Sequence, residues 1–260
     1  MKSISKKTVL VTGAASGLGK GCAIKFAKEG YNVVIADINI DAAEEVVKEI
    51  KSFDGSAISV EMNVASEESV ELGIKACIDN YGSIDILVSN AGIQIVHPIE
   101  DYPFDEWKKM MAIHADGAFL TSRAAYKYMK ESGKGGKIIF MGSAHSHVGS
   151  KLKSPYCFVK HGLLGLCRVL AKEGADYGIH TYVVCPGFVK TPLVEKQIPE
   201  QSQALGISED EVIKTVMLKD TVDGTFTTID DIANAMYYLS TDNGAMTGQS
   251  IVLSHGWHMN

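Results

Sequence analysis

The stretch from Ser143 to Lys160 combines three residue types that together could move a proton to and from an oxygen atom. Tyr156 and Lys160 are four residues apart, so in a helix they lie on one face. A lysine ammonium favours the ionised form of a neighbouring phenol, and we therefore expect Lys160 to lower the pKa of Tyr156. Ser143 adds a neutral hydrogen-bond donor. These side chains could hold a carbonyl oxygen and protonate it while a hydride reaches its carbon.

The spacing of this pair is not specific by itself. A chain with 10 tyrosines and 25 lysines and arginines is expected to contain about one Tyr-x-x-x-Lys by chance. Tyr126 and Lys130 form a second such pair, which we interpret as an ordinary helix face. The Tyr156 pair differs because a serine that follows an apolar run at 137–141 precedes it by thirteen residues. That position favours a catalytic role.

The elements that must carry these residues are predicted from hydrophobic patterning. Continuous apolar runs alternate with helix-like segments, and the runs cover residues 8–12, 33–36, 57–62, 84–88, 137–141, 181–184 and 250–253. Continuous rather than alternating apolar runs are typical of parallel strands buried on both faces. The pattern predicts an α/β fold, a doubly wound, Rossmann-type parallel sheet of about seven strands, which binds ligands beyond the carboxyl ends of its strands.

One segment interrupts the alternation. Residues 188–228 carry Thr191 and Pro192 and two polar amphipathic pieces, at 194–205 and 209–219. An insertion of this length after a sheet strand is typical of a mobile cover over a site. We therefore expect residues 1–260 to form a single dinucleotide-binding catalytic domain, with 188–228 as a helical substrate lid within it.

A glycine-rich turn follows the first predicted strand. Gly13, Gly17 and Gly19 would let the backbone approach a pyrophosphate at the start of a helix, whose N-terminus attracts anions. A tight strand-to-helix turn without a ligand is the alternative interpretation. Asp37, after the second strand, can accept both ribose hydroxyls and would repel a 2′-phosphate. Ser16 stands where a basic residue could meet that phosphate, so we predict NAD(H) rather than NADP(H).

Composition excludes several classes of protein. The net charge of −6 and the lack of a basic run argue against nucleic acid as a partner. The five cysteines are odd in number and contain no C-x-x-C, which argues against a disulfide scaffold or a zinc ribbon. His145 and His147 have no third metal ligand placed by the sequence, so no metal site is predicted. Without a long apolar run or an apolar N-terminal segment, we expect a cytoplasmic protein with no membrane partner.

With these motifs in place, the chain resembles the short-chain dehydrogenase/reductase family over its whole length. The glycine spacing, Asn90-Ala91-Gly92, Ser143, the Tyr156–Lys160 pair and Pro186-Gly187 occur in the family's order. The resemblance implies that Ser143, Tyr156, Lys160 and His114 are catalytic. It also implies a set of cofactor-binding residues, which are Gly13, Ser16, Gly17, Leu18, Gly19, Asp37, Asn63, Val64, Asn90, Gly92, Tyr156, Lys160, Pro186, Gly187, Val189 and Thr191.

Within the family the chain is most similar to bacterial D-3-hydroxybutyrate dehydrogenases. The shared segments are 92–94, 143–145, 191–198, Lys153 and Gly256-Trp257. The resemblance implies that substrate is bound by Gln94, Ser143, His145, Lys153, Tyr156, Gln197 and Trp257. A cation and neutral donors suit a small carboxylate. The residues alone leave other readings open: Lys153 as a solvated charge, Gln197 as a polar lid face, His145 as a loop hydrogen-bonder and Trp257 as terminal packing.

The resemblance implies an NAD-dependent oxidoreductase that interconverts a small 3-hydroxy acid and its 3-keto acid. D-3-hydroxybutyrate and acetoacetate, a reaction of ketone body metabolism, are the expected pair, and a homotetramer is the expected assembly. The alternatives are a dehydrogenase for another hydroxy acid, a sugar or a polyol, a reductase for an acyl thioester, or a non-catalytic dinucleotide-binding module. NADH formation with and without 3-hydroxybutyrate separates them.

The chain departs from the family pattern at several positions. His114 stands where the family has an asparagine that supports a water linked to the lysine, and we expect its proton relay to persist with an added pH dependence. Asn63 replaces an aspartate that meets the adenine, and its amide oxygen should serve as the acceptor. Ser89 replaces an asparagine, and Phe188 replaces a tryptophan of the closer subfamily. The substitution of Phe188 predicts a larger or differently shaped pocket.

Overall fold

A computed structural model describes residues 6–259 of the chain. In these residues seven strands form one parallel sheet. The strands are β1 Thr8–Thr12, β2 Asn32–Asp37, β3 Ser56–Glu61, β4 Ile86–Ser89, β5 Gly136–Met141, β6 Ile179–Pro186 and β7 Ser250–Leu253. The fold prediction is confirmed, including the number of strands.

The order of the strands creates a crevice at one place in the sheet. The sheet runs β3-β2-β1-β4-β5-β6-β7, so the chain reverses its winding direction between β1 and β4. Helices that follow β1 and β4 lie on opposite faces of the sheet. Ligands of open α/β sheets bind at such a reversal, beyond the carboxyl ends of the strands.

Helices cover both faces of the sheet. They are α1 Gly17–Lys28, α2 Ile40–Lys51, α3 Glu67–Tyr81, α4 Phe104–Met111, α5 Gly117–Ser132, α6 Ser154–Gly174, α7 Pro192–Leu205, α8 Glu209–Val212 and α9 Ile229–Thr241. Val9 and Val11 of β1 pack with residues of α1, α2 and α9 on one face, whereas Leu10 packs with α3, α5 and α6 on the other. Both faces of the strand are buried, which explains its continuous apolar run.

Most predicted boundaries agree with the structure within two or three residues. Ser66 caps α3, because its side chain accepts a hydrogen bond from the amide of Ser69. Tyr126 and Lys130 lie on α5, where the tyrosine hydroxyl donates to the carbonyl of Glu173 on the helix surface. That contact agrees with the interpretation of the second pair as an ordinary helix face.

The helical region between β4 and β5 is interrupted. Between α4 and α5 the chain makes one π-helical turn, Ala112–Asp116. A π-turn inserts a residue into the helix and changes the direction in which the following side chains project. The turn contains His114, so it determines where this imidazole lies.

The segment expected to be a lid contains two helices and a second π-helical turn. The first amphipathic piece is α7, and the second is α8 continued by the turn Ile213–Met217. A short parallel bridge between Val189 and Thr227 connects the two ends of the insertion. Its mobility and the single-domain organisation remain predictions.

Candidate active site

A cavity of about 520 Å³ opens at the carboxyl edge of the sheet, where β1 and β4 diverge. Every residue that the sequence analysis assigned to catalysis, cofactor or substrate contributes to its lining. The glycine turn lies at one end and Lys153, Gln197 and Trp257 at the other. The size of the cavity is within the range of small-molecule sites.

The glycine turn is held open for a ligand by backbone geometry. Gly13 has a φ of +63°, which glycine adopts readily. A side chain at Gly19 would clash with the carbonyl oxygen of Gly13 and with the Asn90 amide. The Asn90 side chain donates to the carbonyls of Thr12 and Gly13 at 2.8 and 3.1 Å. Asn90 therefore joins the ends of β1 and β4, and the turn leaves a cradle with the α1 N-terminus at its base.

Asp37, which the sequence analysis assigned to the ribose, is anchored by two backbone amides. One carboxylate oxygen accepts from the amide of Ala15 at 2.9 Å, and the other accepts from the amide of Asn39 at 3.0 Å. Asn63, also at the edge of the cavity, uses its amide oxygen to accept from the amide of Ala65 at 3.1 Å. The oxygen expected to serve the adenine therefore already has a backbone partner.

Ser143 and Tyr156 come from two elements that meet at the end of β5. Ser143 starts a 3₁₀ turn, Ala144–Ser146, and its hydroxyl accepts from the amide of His145 at 3.1 Å. Tyr156 lies in the first turn of α6. Burial raises the pKa of Tyr156 to about 12, and its side-chain contact with Ser143 offsets this only in part.

The expected lowering of the Tyr156 pKa by Lys160 is therefore wrong for the protein groups alone. Lys160 is buried, and its ammonium lies 5.4 Å from the centre of the Tyr156 ring. The ammonium donates to the carbonyl of Met141 at 2.6 Å. Burial lowers the pKa of Lys160 itself to about 8. Removal of both groups from water outweighs their mutual attraction.

The expected titration of His114 near neutral pH is also wrong. Burial, followed by the charge of Lys160, lowers the pKa of His114 to about 3. Its Nε2 lies 2.8 Å from the carbonyl oxygen and 3.0 Å from the amide nitrogen of Ile93, so either neutral tautomer finds a partner. A side chain at Gly92 would clash with the imidazole. His114 is an uncharged, tightly packed neighbour of Tyr156, with ring centres 5.8 Å apart.

The other end of the cavity combines one cation with neutral polar groups. Lys153, His145 and Gln197 are buried and line the cavity, together with the half-buried Gln94. Burial lowers the pKa of Lys153 to about 8 and, with the Lys153 charge, lowers that of His145 to about 3. A buried cation beside a neutral imidazole is an environment suited to a carboxylate.

Sequence reasoning missed several residues of the cavity. Phe188 was noted only as a departure from the family, yet its ring lies 5.5 Å from Trp257 and its carbonyl accepts from the amide of Thr227. Met141 was read as strand, although its carbonyl binds Lys160. Ile38 and Ile113 also line the cavity. Apolar and backbone contributions of this kind leave no motif, although Phe188 directly follows Pro186-Gly187.

Two observations bear on metals and membranes. Among the residues that the structure describes, no group of three or more His, Cys, Asp or Glu side chains could hold a metal ion. No helix between residues 6 and 259 is both long and apolar enough to cross a bilayer.

Comparison with known proteins places this site in a family. The model of the short chain dehydrogenase family matches residues 7–202, and the chain belongs to this family. It is therefore an oxidoreductase that binds NAD(H) or NADP(H) and acts on a small molecule, and the glycine cradle and Asp37 fit such a dinucleotide.

Individual relatives and a solved structure agree with this assignment. The D-beta-hydroxybutyrate dehydrogenase of Rhizobium meliloti (strain 1021) is 38% identical over 96% of this chain and 98% of its own. The D-beta-hydroxybutyrate dehydrogenase of Cupriavidus necator is 36% identical over 92% of each chain. A short-chain type dehydrogenase/reductase from Mycobacterium marinum superposes with a TM-score of 0.87 at 30% identity, covering 98% of this chain and 96% of that one.

Proposed function

We propose that the protein is an NAD-dependent 3-hydroxy acid dehydrogenase that interconverts D-3-hydroxybutyrate and acetoacetate. The observation that carries this proposal is the buried Lys153 ammonium in the same cavity as Ser143 and Tyr156. Burying a cation costs free energy, and a neutral sugar or polyol would not offset that cost. A short carboxylate would offset it by pairing with the ammonium. The likeness to two D-beta-hydroxybutyrate dehydrogenases supports the choice of acid.

NAD(H) is the proposed cofactor because of the charge on Asp37. Its carboxylate is fixed by the amides of Ala15 and Asn39, so it cannot turn away from a 2′-phosphate without losing both hydrogen bonds. Ser16 is exposed at the same end of the cavity and supplies no positive charge. A tighter Kd for NADP(H) than for NAD(H) would contradict this choice.

Each polar group then has a role in the reaction. NAD⁺, when bound, would supply the hydride acceptor, and its positive ring would favour the Tyr156 phenolate that the protein alone disfavours. In oxidation, Tyr156 takes the hydroxyl proton of the substrate while the hydride leaves its C3 carbon, and Ser143 binds the same oxygen. Lys160, held by the Met141 carbonyl, keeps a positive charge near the phenol and binds the nicotinamide ribose.

The substrate carboxylate is proposed to bind Lys153, with Gln94, His145 and Gln197 as neutral partners. Because His145 stays uncharged at neutral pH, it can donate through one ring nitrogen without adding a second cation. Gln197 lies on α7 and already lines the cavity, so movement of that helix would open and close the site around the substrate. This is the proposed role of the lid at 188–228.

A screen of NAD-linked oxidation tests the proposal. D- and L-3-hydroxybutyrate, longer 3-hydroxy acids, sugars and polyols are compared by NADH formation, with the Tyr156→Phe variant as the control. Turnover should be greatest for D-3-hydroxybutyrate and should fall by at least about a thousandfold in the variant, with NADH affinity nearly unchanged. Faster oxidation of a neutral polyol, or substantial turnover by Tyr156→Phe, would contradict it.

A homotetramer is the proposed assembly. Two aromatic side chains, Phe119 of α5 and Phe158 of α6, are 47% and 59% exposed on the outer surface of the helical layer. Burial of exposed aromatic rings is a common contribution to subunit contacts. Light scattering should give four times the chain mass of 28.0 kDa; a monomeric mass would contradict the proposal.

A further inference from the structure

Lys153 is buried without an ion-pair partner in the described part of the chain. Its side chain is 5% exposed, and none of the ion pairs formed within residues 6–259 includes it. An ammonium in such surroundings needs some favourable electrostatic contact to stay charged and in place. The contact that the structure provides is an aromatic ring.

The Lys153 Nζ lies over the face of Phe188, 5.0 Å from the ring centre. This distance is within the range at which the negative face of an aromatic ring attracts a cation. The attraction increases when water is excluded, and both groups line the interior of the cavity. An aliphatic side chain of similar volume would fill the same space without this attraction.

The Phe188 ring is itself held in position. It packs against Trp257 at a tilt of 32° and meets the His145 ring edge-on, with centres 6.3 Å apart. Its backbone carbonyl accepts a hydrogen bond from the amide of Thr227 at 3.1 Å. The ring is thus a fixed surface against which the flexible lysine chain can rest.

We propose that Phe188 is a positioning residue that holds the Lys153 ammonium in place to receive the carboxylate of the substrate. This inference rests on the proposed function for the identity of the carboxylate. It adds a specificity role for an apolar residue that acts through the lysine rather than through contact with the reacting atoms. Phe188 should therefore affect binding of the acid and leave the hydride step nearly unchanged.

The experiment compares Phe188→Leu, which removes the ring, with Phe188→Tyr, which keeps it. KM for D-3-hydroxybutyrate should rise about two- to thirtyfold in Phe188→Leu, with kcat within about twofold of the parent. Phe188→Tyr should stay close to the parent. If Phe188→Leu does not fold, Phe188→Met provides the same comparison.

A second background separates positioning from packing. In the Lys153→Met background, the further change Phe188→Leu should leave KM almost unchanged, because no cation remains to be held. An equal rise in KM in both backgrounds would overturn the inference. An unchanged KM in Phe188→Leu, or a fall in kcat without a rise in KM, would also overturn it.

An inert carboxylate distinguishes failure of this inference from failure of the proposed function. Acetate binding to the NADH complex, followed by nucleotide fluorescence, should weaken in Phe188→Leu by the same factor as KM. If the parent oxidises no 3-hydroxy acid but its acetate affinity still depends on Phe188, the inference stands and the substrate assignment fails. If the parent is active but does not bind acetate, or if its acetate affinity does not depend on Phe188, the inference fails and the proposed function stands.

Discussion

At the scale of single residues, burial decides the charge states in the cavity. The sequence showed which titratable groups would meet, and all of them line one cavity. It did not show how completely water is excluded from them. For Tyr156, this exclusion raises the pKa although Lys160 lies nearby, and for His114 it lowers the pKa together with the charge of Lys160.

The neutral state of His114 leads to a prediction about pH. With a pKa of about 3, the imidazole does not change charge in the working range of the enzyme, and it should not contribute a limb to the pH–rate profile. His114→Asn should therefore give the same apparent pKa values for kcat as the parent between about pH 6 and 9. A limb that is lost or displaced in the variant would show that His114 titrates during turnover.

Lys153 leads to the opposite expectation. Burial lowers its pKa to about 8, so the ammonium is present below that pH and is lost as the pH rises through it. Cys157, one turn further along α6, and His145 are the titratable neighbours that interact with it. Above about pH 8, KM for D-3-hydroxybutyrate should rise by up to tenfold per pH unit. Burial also lowers the pKa of Lys160 to about 8, so a matched variant that keeps Lys160 is needed to assign the rise to Lys153.

The matched variant for this measurement is Lys153→Gln, which keeps a polar group without the charge. Its KM should already be high at pH 7 and should rise less steeply than that of the parent up to pH 10. A KM that rises equally in the variant would assign the effect to another group.

At the scale of elements, patterning predicts the strands well because burial on both faces makes their apolar runs continuous. The π-helical turn at Ala112–Asp116 could not be predicted. Its residues have ordinary helix periodicity, and the inserted residue is stabilised by contacts with a distant loop. The clearest such contact joins His114 to Ile93, twenty-one residues away.

The glycine cradle gives a prediction at this scale. A methyl group at Gly19 would meet the Gly13 carbonyl and the Asn90 amide, neither of which can move without separating β1 from β4. Gly19→Ala should weaken NADH binding by at least about tenfold and lower the free energy of unfolding by about 1–3 kcal/mol. Both are measured directly, by fluorescence titration and by urea denaturation.

Gly165, in the middle of α6, is the control for this variant. It is exposed, and a methyl group there would meet no atom within 4 Å. Gly165→Ala should leave NADH affinity unchanged and increase stability by about 0.5–1 kcal/mol. Similar behaviour of the two variants would mean that the cradle tolerates a side chain.

At the scale of the whole molecule, the buried histidines make the fold sensitive to acid. His114 and His145 have pKa values of about 3 in the folded chain, below the ordinary value near 6.5. As the pH falls below about 6.5, the unfolded chain binds protons that the folded chain cannot, so stability is lost with acidification. Each of these two histidines should lower the free energy of unfolding by about 2 kcal/mol when the pH falls from 7 to 5.

Urea unfolding of His114→Asn at these two pH values tests the expectation. On acidification, the free energy of unfolding of the variant should fall by about 2 kcal/mol less than that of the parent. His161→Asn, at an exposed position on α6, should behave like the parent when measured at the same protein concentration. Equal acid losses in all three proteins would show that His114 is not buried in its neutral form.

The link from Asn90 to the carbonyls of Thr12 and Gly13 has a consequence for how the protein is made. Gly13 and Thr12 precede Asn90 by 77 and 78 residues in the chain. Strand β4 must therefore pair beside β1 before these hydrogen bonds can form. While the ribosome is still making the first three strands, the turn after β1 can be held from the β2 side, through Ala15 and Asp37, but lacks the link to Asn90. Nucleotide added during refolding should therefore accelerate only the folding steps that follow the pairing of β4 with β1.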